Sequence, residues 1–317
     1  MRTIITKEEE IRKFFYEKGL DFLTSVPRTR MQEIILSSIM KGNTGKTKDY
    51  AELGHAHRTT YGHFLSKGIW DDARVEETQK RESLKSITEL AKQSGEAMYI
   101  SIDDTVNQKK RPSPKAKKPM EGAGWYYSHL EGRIVWGHQI HAAIVSSGTA
   151  SLCYSLRRCR PEPGSKIEMA LDVIRSLPVA GCESFLLIDS WYTNSTIVNA
   201  CVGKNYHVIG ALKTNRILYP EGKRSSIKDF ARSLTLGCFH PVTVKGHDYC
   251  VYRYEGSLNK IDHAVVLITY PKESFGIPSA LKAFLCSDSS LTDAQILTHY
   301  THRWKIEVFF KQQKYYF

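Results

Sequence analysis

Three acidic positions in this sequence have the surroundings that place carboxylates in a reactive site. The β-favouring run 98–105 contains Asp103 and Asp104, and the run 183–189 ends in Asp189, so both predict buried strands that deliver an acid at one end. Glu307 lies in a stretch without Gly or Pro that predicts one helix through Tyr300 and Lys314. Such carboxylates supply the oxygen ligands that Mg²⁺ prefers.

These carboxylates could perform phosphoryl transfer. Two divalent ions about 3.5 to 4 Å apart can activate a water or a 3′-hydroxyl and stabilise the leaving oxygen of an in-line displacement. Each acid also has an ordinary alternative. A strand-terminal aspartate such as Asp189 often caps the next helix, and Glu307 could be a structural partner of the cations beside it.

The cations beside Glu307 form a pattern of their own. On one helix Tyr300, Arg303, Glu307 and Lys314 would share an arc of about 60°. Their spacing, Tyr-x2-Arg-x3-Glu-x6-Lys, resembles the signature of the DDE transposases of the insertion-sequence-four superfamily. Four other segments are similar to motifs of that family, and the resemblance covers most of the chain from about residue 47: 102–105, 122–137, 189–192 and 213–216.

The resemblance implies a fold and a set of roles. The fold is an α/β, RNase H-like mixed-sheet catalytic core, and its metal ligands would be Asp104, Asp189 and Glu307 around Mg²⁺ or Mn²⁺, with two ions expected. Asp104 matches the family better than Asp103 by its position before Thr105. The resemblance also implies a set of DNA contacts: Tyr300, Arg303, Lys314, Asn215 and Arg216. Members of the family continue beyond this signature, so we expect the chain to be truncated at its C-terminus.

Composition limits the class of protein. A chain of 317 residues can hold two domains, and a net charge of +12 favours a nucleic-acid partner, although ribosomal and membrane-surface proteins share it. Seven scattered cysteines without a Cys-x2-Cys pair argue against a disulfide framework or a zinc ribbon. The sequence has no apolar run of membrane-spanning length, so we expect a soluble, cytoplasmic protein.

Residues 1–95 predict an all-α, helix-turn-helix-type domain. A capping box at Thr6 opens a first helix, and a second runs from about Thr29 to Met40. Two short helices around Gly54 follow, and the second would present Arg58 and Thr59 to a DNA groove. The alternative is a small helical bundle without DNA contacts. A polar helix at 76–93 then leads to the second domain.

Residues 96–317 predict the catalytic domain. Its basic loop, 109–119, would bind phosphate through Lys109, Lys110 and Arg111, or would be a solvated linker. A β-rich insertion at about 217–275 should carry strands at 236–254 and 262–270, with turns at 245–246 and 255–256. A strand at 280–286 would return to the core. Three histidines, 129, 138 and 141, lack zinc-ligand spacing and favour packing roles.

The sequence therefore predicts a DNA transposase of an insertion sequence that hydrolyses element ends and joins them to target DNA. Its partners would be double-stranded terminal inverted repeats and target DNA, bound by a homodimer in the synaptic complex. Two alternatives stay open. One is an RNase H-like nuclease without strand transfer, and the other is a truncated, non-catalytic DNA-binding remnant.

Overall fold

A computed structural model describes residues 2–41, 46–115, 120–128, 131–159, 165–258 and 260–316. The chain divides into two compact units, one of residues 1–86 with 308–317 and one of residues 87–307. The sequence-based boundary near residue 95 lies at the end of the fifth helix, whereas this division falls within that helix.

The first unit is helical in its N-terminal part. Helix α1 begins before the start predicted at Thr6, and Gly19 follows it with φ of +65°, a left-handed conformation that Gly adopts without strain. A small core joins Ile11 and Phe15 of α1 to Leu23 and Leu36. The helices are α1 Arg2–Glu17, α2 Ser25–Lys41, α3 Thr47–Leu53, α4 Arg58–Lys67 and α5 Asp72–Ser94.

A buried carboxylate organises the turn between α3 and α4. Glu33 of α2 accepts hydrogen bonds from the Tyr61 hydroxyl at 2.8 Å and the backbone N–H of His55 at 3.0 Å, and it pairs with Arg30. Burial opposes ionisation, but these bonds hold the pKa of Glu33 below its ordinary value. A Cβ at Gly54 would lie 1.8 Å from the Tyr61 hydroxyl oxygen, so this close approach requires glycine.

The second unit is built on a mixed sheet. Strand β1 is buried over its first five residues and lies between β3, which is antiparallel to it, and β5, which is parallel. Strand β6 is parallel to β5, and both β2 and β4 pair with β3. These elements are β1 Met98–Gln108, β2 Gly124–Ser128, β3 Arg133–Ser147, β4 Ala150–Arg158, α6 Ser165–Ser176, β5 Ser184–Ile188, α7 Ser195–Val202 and β6 His207–Leu212.

The predicted β-rich insertion extends this sheet. Beyond β6 the strand order continues β12, β11, β10, β9, and each neighbouring pair is antiparallel. The return strand predicted at 280–286 is confirmed as β12. The elements are β7 Ile217–Leu218, β8 Ser225–Ser226, α8 Ile227–Ser233, β9 His240–Val244, β10 His247–Leu258, β11 Ile261–Pro271 and β12 Lys282–Cys286.

The two turns predicted in this region have different outcomes. Lys245 and Gly246, with φ of +49° and +80°, connect β9 to β10 as predicted. The turn predicted at Glu255-Gly256 is wrong, because β10 continues to Leu258 and its pairing with β11 shifts register between Gly256 and Leu258. A β-bulge stands where the dipeptide pattern predicted a reversal.

The C-terminal segment contains two helices, so the prediction of one continuous helix is wrong. Helix α9 spans Asp293–Thr301, with a capping box between Thr292 and Gln295, and α10 spans Trp304–Tyr316. At the break, the backbone N–H groups of His302 and Arg303 bond to carbonyls three residues back, which tightens the chain relative to an α-helix. None of the helices in the described parts of the chain is long and apolar enough to cross a membrane.

Candidate active site

The two sequence-predicted strands bring Asp103 and Asp189 to one level of the sheet. Ile102 of β1 pairs with Ile188, the last residue of β5, and the two strands are parallel. Asp103 and Asp189 follow that pair on neighbouring strands. Strand β1 runs on to Gln108, so its aspartates lie inside the strand and not at its end as predicted. Because side chains alternate along a strand, Asp103 and Asp104 face opposite sides of the sheet.

Arg303 connects Asp103 to Glu307. Its Nη1 donates to Oδ2 of Asp103 at 3.0 Å, and its Nη2 donates to Oε1 of Glu307 one turn along α10. The other oxygen of Asp103, Oδ1, accepts from the backbone N–H of Asp104 at 2.8 Å. The aspartate bonded to Arg303 is therefore Asp103, whereas the sequence favoured Asp104 as the first metal ligand.

The charge of Asp189 acts on both Asp103 and Arg303. Burial raises the pKa of Asp103 to about 7; the charge of Asp189 adds to this effect and Arg303 opposes it. Burial also works against the charge of Arg303, but Tyr300, Asp103, Glu307 and Asp189 together raise the pKa of its guanidinium. Arg303 is thus bonded to two carboxylates and lies within electrostatic range of a third.

Asp189 shapes the turn that follows β5. Its Oδ1 accepts from the backbone N–H of Trp191 at 2.9 Å and of Tyr192 at 3.2 Å. The N-cap of α7 is Asn194, whose side chain accepts from the N–H of Ile197 at 3.0 Å. The ordinary alternative, in which Asp189 caps the next helix, is therefore wrong.

Asp104 lies in a separate polar cluster on the other side of β1. Its Oδ1 accepts from the Tyr192 hydroxyl at 2.8 Å and from Lys166 Nζ at 3.0 Å, and its Oδ2 accepts from Gln139 Nε2 at 2.5 Å. Both oxygens are used by protein donors. The cluster is joined to Asp189 through Tyr192, which donates its hydroxyl to Asp104 and its backbone N–H to Asp189.

Tyr300 and Lys314, the two ends of the signature, are in different environments. The Tyr300 hydroxyl donates to the backbone carbonyl of Ile188 at 3.3 Å, its ring packs on Phe284 at 4.8 Å, and burial raises its pKa to about 12. Tyr300 thus supports the end of β5 next to Asp189. Lys314 is exposed in the last turn of α10.

A cationic cleft adjoins the turn after Asp189. Asn215 and Arg216, both predicted to contact DNA, line a cavity of about 560 Å³ together with Lys213 and Arg224. Arg216 Nη2 donates to the backbone carbonyl of Thr193 at 2.8 Å, which fixes its position. No sequence pattern singled out Arg224, which follows Lys223 in the connection between β7 and β8.

Trp191 brings two further cations together. Its exposed ring has Lys166 Nζ at 4.6 Å and Lys213 Nζ at 5.0 Å from its centroid, distances typical of cation–π contacts. No sequence pattern distinguishes Lys166, since it lies in an ordinary amphipathic helix, α6.

The other predicted DNA contacts lie on exposed surfaces. Lys110 and Arg111 are exposed, Lys109 is half-buried, and the Arg111 guanidinium lies 5.5 Å from the centroid of the Trp125 ring. Residues 116–119 of the predicted basic loop lie outside the described residues. In the helical unit, Arg58 and Thr59 are exposed in the first turn of α4, where a helix-turn-helix would present them.

The carboxylates around Arg303 have the chemistry of metal ligands but not the arrangement of a metal site. No group of three or more His, Cys, Asp or Glu side chains in the described ranges lies close enough to hold a metal. The chemistry of Asp103, Asp189 and Glu307 nevertheless suits a hard divalent cation. What separates two of them is the guanidinium of Arg303, so a metal would need this side chain to move.

Among the residues that the structure describes, the histidines form no alternative metal centre. His141 is fully buried, and its pKa is lowered to about 4 mainly by burial. The Nε2 of His138 instead lies 3.0 Å from the carbonyl oxygen of Glu121. His129 lies outside the described residues.

Comparisons with known proteins give the following matches. The family described as "Transposase DDE domain" matches residues 99–317, which is more than half of the chain. No curated protein matches. One similar solved structure is the cryo-EM structure of the piggyBac transposase synaptic complex with hairpin DNA, with 12% sequence identity and a TM-score of 0.45. The match covers 89% of this chain and 57% of that transposase chain.

Proposed function

Because the chain belongs to the transposase DDE domain family, we propose that it is the DNA transposase of an insertion sequence. It cuts the ends of the element and joins them to target DNA. The observation that carries the proposal is that Arg303 is paired with Asp103 and Glu307 and lies within electrostatic range of Asp189. Three carboxylates of this type are the donor set of metal-dependent phosphoryl transfer, and they could surround a metal once Arg303 moves.

The fold we propose for the core is RNase H-like. The order β4, β3, β1, β5, β6 supports it, with β1, β5 and β6 parallel and β3 antiparallel to β1. This topology explains why acids from two distant segments come to one level of the sheet: the strands are parallel neighbours, and Ile102 pairs with Ile188 directly before Asp103 and Asp189. Strands β9 to β11 belong to the β-rich insertion that separates Asp189 from Glu307 in the sequence, and β12 is the strand that returns to pair with β6.

The metal ligands in this proposal are Asp103, Asp189 and Glu307. Members of the family generally use divalent metal ions, and we propose Mg²⁺ or Mn²⁺, with two ions. The bound metal would activate the attacking oxygen and stabilise the leaving oxygen. The carboxylates hold and orient it, and Tyr300 keeps the end of β5 in place through its bond to Ile188.

Asp104 has a supporting role in this account. It is the acceptor for Tyr192, Lys166 and Gln139, so it fixes the hydroxyl end of Tyr192 while the backbone of Tyr192 binds Asp189. Groups that orient metal ligands in this way set metal affinity without touching the metal. Asp104 is then a positioning residue. Comparing the nicking activity of Asp103→Asn and Asp104→Asn tests this role against that of a metal ligand.

DNA binding is proposed for four surfaces. Helix α4 would read the terminal inverted repeats with Arg58 and Thr59. The loop with Lys109, Lys110 and Arg111, the cleft with Asn215 and Arg216, and Lys314 of α10 would bind phosphates. A net charge of +12 supports these contacts with a polyanion. Two copies of the chain would hold two ends in the synaptic complex.

The experiment that tests this function is strand transfer. A pre-cleaved duplex with the terminal sequence of the element and a free 3′-hydroxyl is incubated with the protein, supercoiled plasmid and Mg²⁺. A transposase joins the labelled end to the plasmid, and Glu307→Gln should not. Nicking of intact ends without joining would indicate a nuclease, and binding without either reaction would indicate a DNA-binding remnant.

A further inference from the structure

The side chain of Arg303 is occupied twice by its own protein. Its Nη1 is 3.0 Å from Asp103, its Nη2 is bonded to Glu307, and only 17% of the side chain is exposed. Yet Asp103 and Glu307 are two of the three carboxylates proposed to hold metal, and Arg303 itself is predicted to contact DNA. Neither role is possible while the guanidinium stays between the two acids.

The backbone on both sides of Arg303 is anchored. The ring of His302 stacks on Tyr99 with centroids 4.2 Å apart and planes at 7°. Lys305 Nζ donates to the carbonyl of Gly148 at 2.5 Å. The hydrogen bonds of the break between α9 and α10 further fix residues 302 to 306. The long side chain of Arg303 is therefore the part of this segment that can change position at least cost.

We propose that Arg303 is an exchangeable counter-ion. It holds Asp103 and Glu307 together in the metal-free protein, releases them when a divalent cation binds, and then presents its guanidinium to a DNA phosphate. The inference rests on the proposed function for the identity of the metal ligands and of the DNA partner.

The charges explain both halves of the exchange. Two carboxylates held close together repel each other, and a planar guanidinium with several donors can bridge them without bringing in water. A divalent cation on the same carboxylates would repel the nearby guanidinium. The freed guanidinium is suited to phosphate, which it binds through two parallel hydrogen bonds.

The test measures Mn²⁺ binding without DNA, by the electron paramagnetic resonance signal of the free ion. Wild type, Arg303→Gln and Glu307→Gln are titrated with Mn²⁺ alone. Removing the competing cation should make Arg303→Gln bind Mn²⁺ about tenfold more tightly than wild type, and Glu307→Gln should lose this binding. Equal or weaker binding by Arg303→Gln, or no binding by any of the proteins, would overturn the proposal.

Two controls separate exchange from loss of structure. Arg253→Gln removes a comparable cation, 23% exposed and paired with Asp293 and Glu255, and should leave Mn²⁺ affinity unchanged. If Arg303→Gln does not fold, as judged by circular dichroism, Arg303→Lys replaces it. Lysine keeps one charge but not the bridging fork, so Mn²⁺ should bind more tightly than in wild type. Affinity no higher than wild type would reject the exchange.

The result does not depend on DNA cleavage. If Arg303→Gln binds Mn²⁺ more tightly than wild type and Glu307→Gln does not bind it, but the protein never nicks or joins DNA, the counter-ion exchange stands and the transposase assignment fails. An active transposase whose Arg303→Gln variant binds Mn²⁺ no better than wild type would show the opposite. The two proposals can therefore fail separately.

Discussion

The guanidinium of Arg303 lies 3.0 Å from the carboxylate of Asp103, although 200 residues separate the two in sequence. The contact joins the break between α9 and α10 to the middle of β1, at the level where β5 ends. It brings Glu307 to the acids of the sheet by way of a cation. In the exchange proposed above, these acids would bind a metal only after the guanidinium of Arg303 leaves them.

The hydrogen bond from Tyr192 to Asp104 should support the candidate site, although neither side chain is proposed to bind the metal. Tyr192→Phe removes a buried donor to Asp104 and should lower the free energy of unfolding by about 1 to 3 kcal/mol. The backbone N–H of Tyr192 binds Asp189, so a residue no longer anchored at its hydroxyl should hold Asp189 less firmly, and Mn²⁺ affinity should fall by about 10-fold. Urea unfolding and Mn²⁺ titration of the same samples check both effects. Unchanged Mn²⁺ affinity would remove Asp104 and Tyr192 from the positioning role.

The turn between α3 and α4 gives a pair of matched substitutions. Gly54→Ala would place a methyl group 1.8 Å from the Tyr61 hydroxyl oxygen, so it should disrupt the Glu33 network and weaken binding to the terminal repeat. Gly62→Ala is the control, since nothing lies within 4 Å of a Cβ there. Within helix α4 it should stabilise the protein by up to about 1 kcal/mol. Gel-shift titrations should separate the two variants, and equal DNA affinity would argue against DNA binding by this helix pair.

The Glu33 network should make the helical unit sensitive to acid. The pKa of Glu33 is below its ordinary value in the folded protein, so the folded state binds fewer protons than the unfolded state around that pKa. The stabilisation is complete above about pH 4.5, the ordinary value, and is lost as the pH falls through the folded pKa. Hydrogen exchange of peptides from α2 to α4 should therefore accelerate on acidification beyond the intrinsic pH effect. In the Glu33→Gln variant, hydrogen exchange of these peptides should be faster than in wild type at pH 7. Acidification should then accelerate it by the intrinsic pH effect alone.

The basic loop should contribute to DNA affinity through phosphates alone. A Lys110→Ala and Arg111→Ala double variant should weaken binding to any duplex and reduce the slope of log K against log salt by about 1 to 2. Lys272→Ala, an exposed lysine paired with Asp248, is the control. Fluorescence anisotropy over a salt series measures the slope. A slope equal to that of wild type would identify the loop as a solvated linker.

Short-range sequence patterns were sufficient to predict the elements that carry the candidate site. The runs ending near Asp104 and Asp189 are buried strands because they are short, apolar and bounded by polar residues. The spacing of Arg303 and Glu307 also predicted neighbours on a helix, and they are bonded. These features depend on residues close together in the chain.

The features that could not be predicted depend on tertiary pairing. Which of Asp103 and Asp104 bonds to Arg303 depends on the face of β1 that Arg303 approaches, and nothing in the strand itself specifies that face. The break before α10 coincides with contacts from Tyr99 and Gly148 to His302 and Lys305. Likewise, strands β9 to β12 join the main sheet through β6, and pairing between distant strands has no local signature.

The most direct test of the account is metal-dependent nicking of a labelled duplex that carries the terminal sequence of the element. Wild type, Asp103→Asn, Asp104→Asn and Glu307→Gln are compared in Mg²⁺ and in Mn²⁺, with gel shifts to verify that each still binds DNA. The account predicts nicking by wild type, slower nicking by Asp104→Asn, and none by Asp103→Asn or Glu307→Gln. Loss of nicking in Asp104→Asn with activity retained in Asp103→Asn would contradict it, as would a wild-type protein that binds the end and never nicks it.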